Sequence, residues 1–133
     1  MNIFSKIIII FLILPLFSCS SSYKKLTKAS FSPPNEFSKH LFTAYKEKAD
    51  FEAKEMHDWN SAKLYSDKAL NAASGKSILP EKIEYWKISP EKSNEIIAGY
   101  NNLMVIYNDA IKIDPFNLAK AISSLDCWAE QQE

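Results

Sequence analysis

The sequence predicts an all-α fold: four helices in two antiparallel hairpins. Three observations lead there. From residue 35 onward apolar side chains return at three- and four-residue steps, the period of one helix face. Helix-start signals recur as a polar cap beside a proline, at Pro33-Pro34-Asn35, Ser89-Pro90 and Asp114-Pro115. No segment alternates polar with apolar as a half-buried strand does. The chain has 133 residues, room for one domain, and 47 % of them are apolar, enough for a packed core.

Asn35 is placed to cap the first helix, with Glu36 in the favourable first turn. Phe37, Leu41, Tyr45, Ala49, Ala53 and Met56 make its stripe. His57-Asp58-Trp59-Asn60 interrupts the stripe, and either Asp58 or Asn60 can cap the next helix. Trp59, Ala62, Tyr65, Ala69, Leu70 and Ala73 form a second stripe, and Gly75 stands at the position after the helix where a left-handed residue is favoured. Helices joined by so short a turn fold back on each other.

Residues 76–89 (KSILPEKIEYWKIS) have no helical period, and Pro80 breaks them. Their Ile78, Leu79, Ile83, Tyr85, Trp86 and Ile88 make a segment apolar enough to lie on the helices. The third helix starts at Ser89-Pro90 and carries Ile96, Ile97, Tyr100, Leu103, Met104, Tyr107, Ala110 and Ile111. Asp114-Pro115 ends it and starts the fourth, whose stripe is Leu118, Ala119, Ile122, Leu125 and Trp128. Trp59, Trp86 and Trp128 are expected to help close the core. The helical domain is thus expected over residues 35–133.

Composition excludes several functions. Sixteen Lys balance sixteen Asp and Glu, with no Arg, so a nucleic-acid partner is not expected. Two glycines, Gly75 and Gly99, cannot build a phosphate-cradling loop. Two His and two Cys do not make a zinc site of the usual spacing. No cofactor, metal or catalytic residue is assigned.

The first eighteen residues read as a leader. Lys6 is a charged n-region, and residues 7–17 (IIIIFLILPLF) are an apolar run too short for a bilayer core of about 30 Å, which takes roughly 20 residues. Then come Leu16, Phe17, Ser18 and Cys19. Leu three places before Cys, with a small residue between the bulk and the thiol, resembles the lipobox of bacterial lipoproteins. The resemblance implies that the Cys19 thiol is joined to diacylglycerol, that the chain is cut after Ser18, and that acyl chains such as palmitate anchor it. Phe17 is bulkier than usual there. Ser20 stands where a retention signal would place Asp, which favours the outer membrane, facing the periplasm. Residues 19–34 then form the lipidated Cys and a flexible linker; its part SSSYKKLTKASFSPP is rich in Ser, Lys and Pro, with a reach of roughly 20 Å. Lys24, Lys25 and Lys28 either approach anionic headgroups or simply keep the linker solvated.

Residues 45–75 (YKEKADFEAKEMHDWNSAKLYSDKALNAASG), Leu79-Pro80-Glu81, Trp86 and the closing DCWAEQQE of residues 126–133 resemble the N-terminal helical region of alphaproteobacterial OmpA-family lipoproteins. In that family a peptidoglycan-binding OmpA-like domain follows. Here the sequence ends at Glu133, and the residues that grip diaminopimelate have no counterpart, so peptidoglycan binding is not carried over. The likeness to tetratricopeptide repeats is architectural only: Ala62 and Ala69 fit, whereas Asp50 and Ser66 do not.

The remaining candidate chemistry is thin. His57 beside Asp58 suggests acid–base work or a metal ligand, but neighbours on a turn do not converge, and a helix corner with Asp58 capping and Trp59 wedged below is favoured. Sequence spacing shows no carboxylate cluster. Cys127 would be the free thiol left after lipidation, off the Leu125–Trp128 stripe, with Lys120 as its one loosely adjacent cation. Lys46–Asp50, Lys48–Glu52 and the run from Glu130 to Glu133 read as solvated faces. The expectation is a non-enzymatic outer-membrane lipoprotein, its helical module a scaffold or adaptor for an envelope protein. Two alternatives are cell-wall tethering as a truncated OmpA-family lipoprotein, and a thiol-dependent role through Cys127.

Overall fold

The computed structural model describes residues 21–133, so the expected leader and the expected lipidation site Cys19 lie outside the described residues. Within them the chain is all-α, with five α-helices and no strand. They are α1 (Ser21–Lys28), α2 (Glu36–Phe51), α3 (Trp59–Ala73), α4 (Pro90–Ile113) and α5 (Pro115–Glu130). A π-helical turn (Glu52–Met56) extends α2, and a 3-10 turn (Ile83–Tyr85) interrupts the α3–α4 connection. No helix among the described residues is long and apolar enough to cross a membrane.

The caps sit where local chemistry puts them. Asn35 accepts a hydrogen bond from the Ser38 amide at 2.8 Å. One carboxylate oxygen of Asp58 takes the Asn60 and Ser61 amides at 2.9 and 3.1 Å, and Asp114 takes the Asn117 amide at 3.1 Å. Ser89 occupies its cap position without a side-chain bond, leaving Pro90 to open α4. Gly75 has φ +78°, and a Cβ there would lie 2.8 Å from Pro34 Cγ, so both conformation and space demand glycine.

Helix α2 is the central element, packed on α3 along one side and on α5 along another, while α4 packs on α5. Its stripe is buried from Phe37 through Ala53, but Met56 is exposed, because the π turn rotates the last residues out of register. Ala62, Ala69 and Ala72 let α3 approach closely, with Tyr65 between them. Ile78, Pro80 and Trp86 of the apolar connection are buried, as its composition demands.

Three expectations need correction. Residues 21–28 of the expected flexible linker form α1, which makes five helices rather than four. It packs on α3 with Leu26 only 1 % exposed, and the Tyr23 hydroxyl donates to Asp50 at 2.7 Å. A stripe of two residues in eight is too short to register as periodicity; docking, not propensity, holds the helix. Of the three tryptophans, only Trp86 closes the core. Trp59 is 45 % exposed at the first position of α3, edge-on to Tyr23, and Trp128 is partly exposed over Gly99. Finally, Lys46 does pair with Asp50 at 2.8 Å, but Glu52 is buried and makes no pair with Lys48.

Candidate functional site

Three places gather polar chemistry among the described residues. The first is a buried charge network centred on Asp126 of α5. Its Oδ2 accepts from the Tyr45 hydroxyl at 2.6 Å and from Lys68 Nζ at 2.7 Å, and its Oδ1 accepts from the Glu81 amide at 2.6 Å. Lys68 also donates to the Leu79 carbonyl at 2.8 Å and pairs with Glu81 at 3.0 Å, while lying 5.4 Å from the Tyr45 ring centroid. Each of the three ammonium hydrogens therefore has an acceptor, and both Asp126 oxygens have donors. Burial pushes the Asp126 carboxyl up against the pull of Lys68, Tyr45 and the Glu81 amide, and burial and Asp126 together push the Tyr45 hydroxyl well up. A saturated network has no vacancy for a substrate atom. Its chemistry is structural: it joins α2, α3, α5 and the Leu79-Pro80-Glu81 connection at one point.

The second place is the corner after α2. His57 adopts a left-handed φ of 56°, ending the π turn and aiming the chain into α3. The corner reading of residues 57–59 therefore holds for His57, which is exposed, and for Asp58 as a cap. It does not hold for the expected absence of a carboxylate cluster. Glu52, Asp58 and Glu130 each bring an oxygen within 4.8 Å of the others. The single hydroxyl hydrogen of Ser61 is shared between Asp58, 3.2 Å from Oγ, and Glu130, 3.3 Å from it. Burial, then Glu130 and Asp58, pushes the Glu52 carboxyl up; burial raises Glu130 too, with Asp58 adding to it. Glu130 is thus half-buried in a cluster, not part of a solvated tail. Residues 52, 58 and 130 have no sequence spacing that announces them.

The third is a cavity of about 610 Å³ between α2 and α5, lined by His40, Glu47, Lys48, Phe51, Phe116, Lys120 and Cys127 among others. Cys127 is half-buried there, its sulfur accepting from Gln131 at 3.6 Å. The fold thus gives it more cationic company than Lys120 alone, with Lys48 also in the cavity wall, while His57 does not line it. The His40 ring stands edge-on to Phe116 at 5.2 Å and near Glu36, occupied in packing.

A shallow apolar cavity of about 560 Å³ lies on the other side of α5, against α4, with Gly99, Leu103, Ile106, Leu125 and Trp128 in its wall. A Cβ at Gly99 would stand 3.4 Å from both Leu125 and Trp128, so the missing side chain is what lets the indole settle across α4. Set against known proteins, this chain matches no protein-family model, no curated protein and no solved structure.

Proposed function

We propose that the chain is an outer-membrane lipoprotein, anchored through Cys19, whose periplasmic helical module is a non-enzymatic scaffold or adaptor resembling the helical region of OmpA-family lipoproteins. On this reading α2–α3 and α4–α5 are two antiparallel hairpins stacked as in tetratricopeptide repeats. The observation that carries the adaptor role is the outer side of α4. This helix of 24 residues buries only Ile96 and Leu103, while Val105 is 82 % and Ile113 81 % exposed. Ile106, 54 % exposed, and the partly exposed Trp128 line the apolar cavity beside α4. A helix that buries so little in its own domain has its apolar face available to a partner. The occupant this fits is another envelope protein presenting an apolar helix. The saturated Asp126 network supports a non-enzymatic role, since its carboxylate and the Lys68 ammonium are spent on joining elements.

The test combines anchor and surface. In cell envelopes, a photocrosslinker at Ile106 is expected to capture one discrete envelope protein, and Ile113→Lys is expected to abolish capture. Cys19→Ala is expected to release the chain from membranes and to end its labelling by a fatty-acid analogue. A Cys19→Ala chain that stays membrane-bound, or a crosslink indifferent to Ile113→Lys, refutes the reading.

A further inference from the structure

We propose that the α2–α3 corner, where Met56 and Trp59 lie exposed at the end of the module from which α1 starts, is a lipid-docking surface that seats on the headgroups around the Cys19 anchor. The seating rests on the lipoprotein reading and goes beyond it, because a docked α1 replaces the tether that would have let the module drift from the bilayer. Only Ser20 separates Cys19 from the first residue of α1. Two residues span at most about 7 Å even when fully extended. The headgroup layer is about 5–7 Å deep on each side of a hydrocarbon core about 30 Å thick. A thiol joined to diacylglycerol lies at the glycerol level beneath that layer, so the start of α1 stays within the headgroups or at their outer edge.

Contacts along α1 fix which end of the module this is. Near its start, the Tyr23 hydroxyl donates to Asp50 in the last turn of α2. The Tyr23 ring stands 6.1 Å from the indole of Trp59, the first residue of α3. Further along the chain, Phe31 packs against Phe42, nearer the start of α2, and Pro34 lies against Gly75, beyond the end of α3. The chain therefore runs away from the α2–α3 corner, and the corner is the anchored end.

The corner carries side chains that suit a bilayer interface. Met56 is 59 % exposed and Trp59 nearly half, and Phe51, the last residue of α2, is half-exposed as well. Indole and phenol rings, apolar in body with one polar handle, collect at headgroup depth. Charge does not drive the contact. The three lysines of α1 and Lys54 are offset by Glu52, Glu55 and Asp58, which leaves little net attraction for anionic lipid. The occupant that fits is a zwitterionic headgroup surface, entered by aromatic and thioether side chains.

The lipidated protein is reconstituted into phosphatidylcholine vesicles that carry a nitroxide at headgroup depth, and its tryptophan emission is compared with that in unlabelled vesicles. The intact mass of the same sample reports whether Cys19 carries diacylglycerol. The nitroxide is expected to quench the emission, and Trp59→Phe to remove most of that quench. Because Trp59 is half-exposed and Phe keeps a ring against Tyr23, the variant is expected to hold the parent's unfolding midpoint. Partial replacement of the lipid by phosphatidylglycerol is expected to change the quench little. A lipidated chain whose emission the nitroxide leaves untouched, or whose quench survives Trp59→Phe in full, overturns the seating and spares the lipoprotein reading. So does a quench that appears only with phosphatidylglycerol, which assigns the contact to the lysines. An unmodified Cys19 overturns both.

Discussion

At the scale of single residues, Asp126 decides more than any other side chain. Its carboxylate holds the Tyr45 hydroxyl, the Lys68 ammonium and the Glu81 amide, from three other parts of the chain. Removing one member of a buried pair leaves the other charge uncompensated, which costs about 3–5 kcal/mol. Asp126→Ala is therefore expected to lower unfolding stability by that amount in urea titrations. Lys68→Met combined with Asp126→Leu is expected to cost clearly less than the two single changes added together, because neither charge is then stranded. The network draws on Tyr45 of α2, Lys68 of α3, the Leu79-Pro80-Glu81 connection and Asp126 of α5. It was not legible beforehand, since Tyr45 and Asp126 are 81 residues apart and only the crossing of α2 with α5 brings them together.

At the scale of elements, α1 is the piece whose attachment depends on titration. Asp50 takes the Tyr23 hydroxyl at 2.7 Å, Lys46 at 2.8 Å and Lys54 at 3.2 Å. Burial alone would raise its carboxyl, but the bonds from Lys46, Tyr23 and Lys54 hold it down at about 2. Burial and the bond to Asp50 push the Tyr23 hydroxyl up to about 12. A lowered carboxyl contributes stability that is full above its unfolded value near 4 and fades as pH falls toward about 2. A raised phenol contributes stability that is full below its unfolded value near 10 and fades as pH climbs toward about 12. Docking of α1 is therefore expected to be firmest between about pH 4 and 10, measured as amide-exchange protection near Leu26. Asp50→Asn is expected to weaken it by about 1–2 kcal/mol at pH 7 and to change little at pH 2. The four longer helices were legible because caps, prolines and stripes are local and repeat over many turns. Helix α1 was not, because its one deeply buried side chain, Leu26, finds its partners on α3, and a Ser- and Lys-rich stretch resembles a tether until it docks. The π turn escaped for a related reason: nothing in its five residues marks where an extra residue is accommodated.

At the scale of the whole molecule, burial is lopsided. Helices α2 and α3 are embedded, whereas α4 rests on α5 by one narrow face and turns Val105 and Ile113 to solvent. The two faces of α4 therefore answer to different constraints, and substitution separates them. Leu103, 8 % exposed in the core cluster, is expected to cost about 2–5 kcal/mol on change to Ala, because a cavity opens between α4 and α5. Val105→Lys and Ile113→Lys are expected to leave stability within about 0.5 kcal/mol, since these side chains have already forgone burial. Chemical denaturation of the three variants checks that contrast directly. If the outer face of α4 belongs to an adaptor surface, the ranking reverses in the envelope: the lysine variants, folded as well as the parent chain, lose their captured partner. Should Val105→Lys and Ile113→Lys destabilise the isolated protein as much as Leu103→Ala, the face is part of the fold's own packing, and a docking role for α4 falls with it.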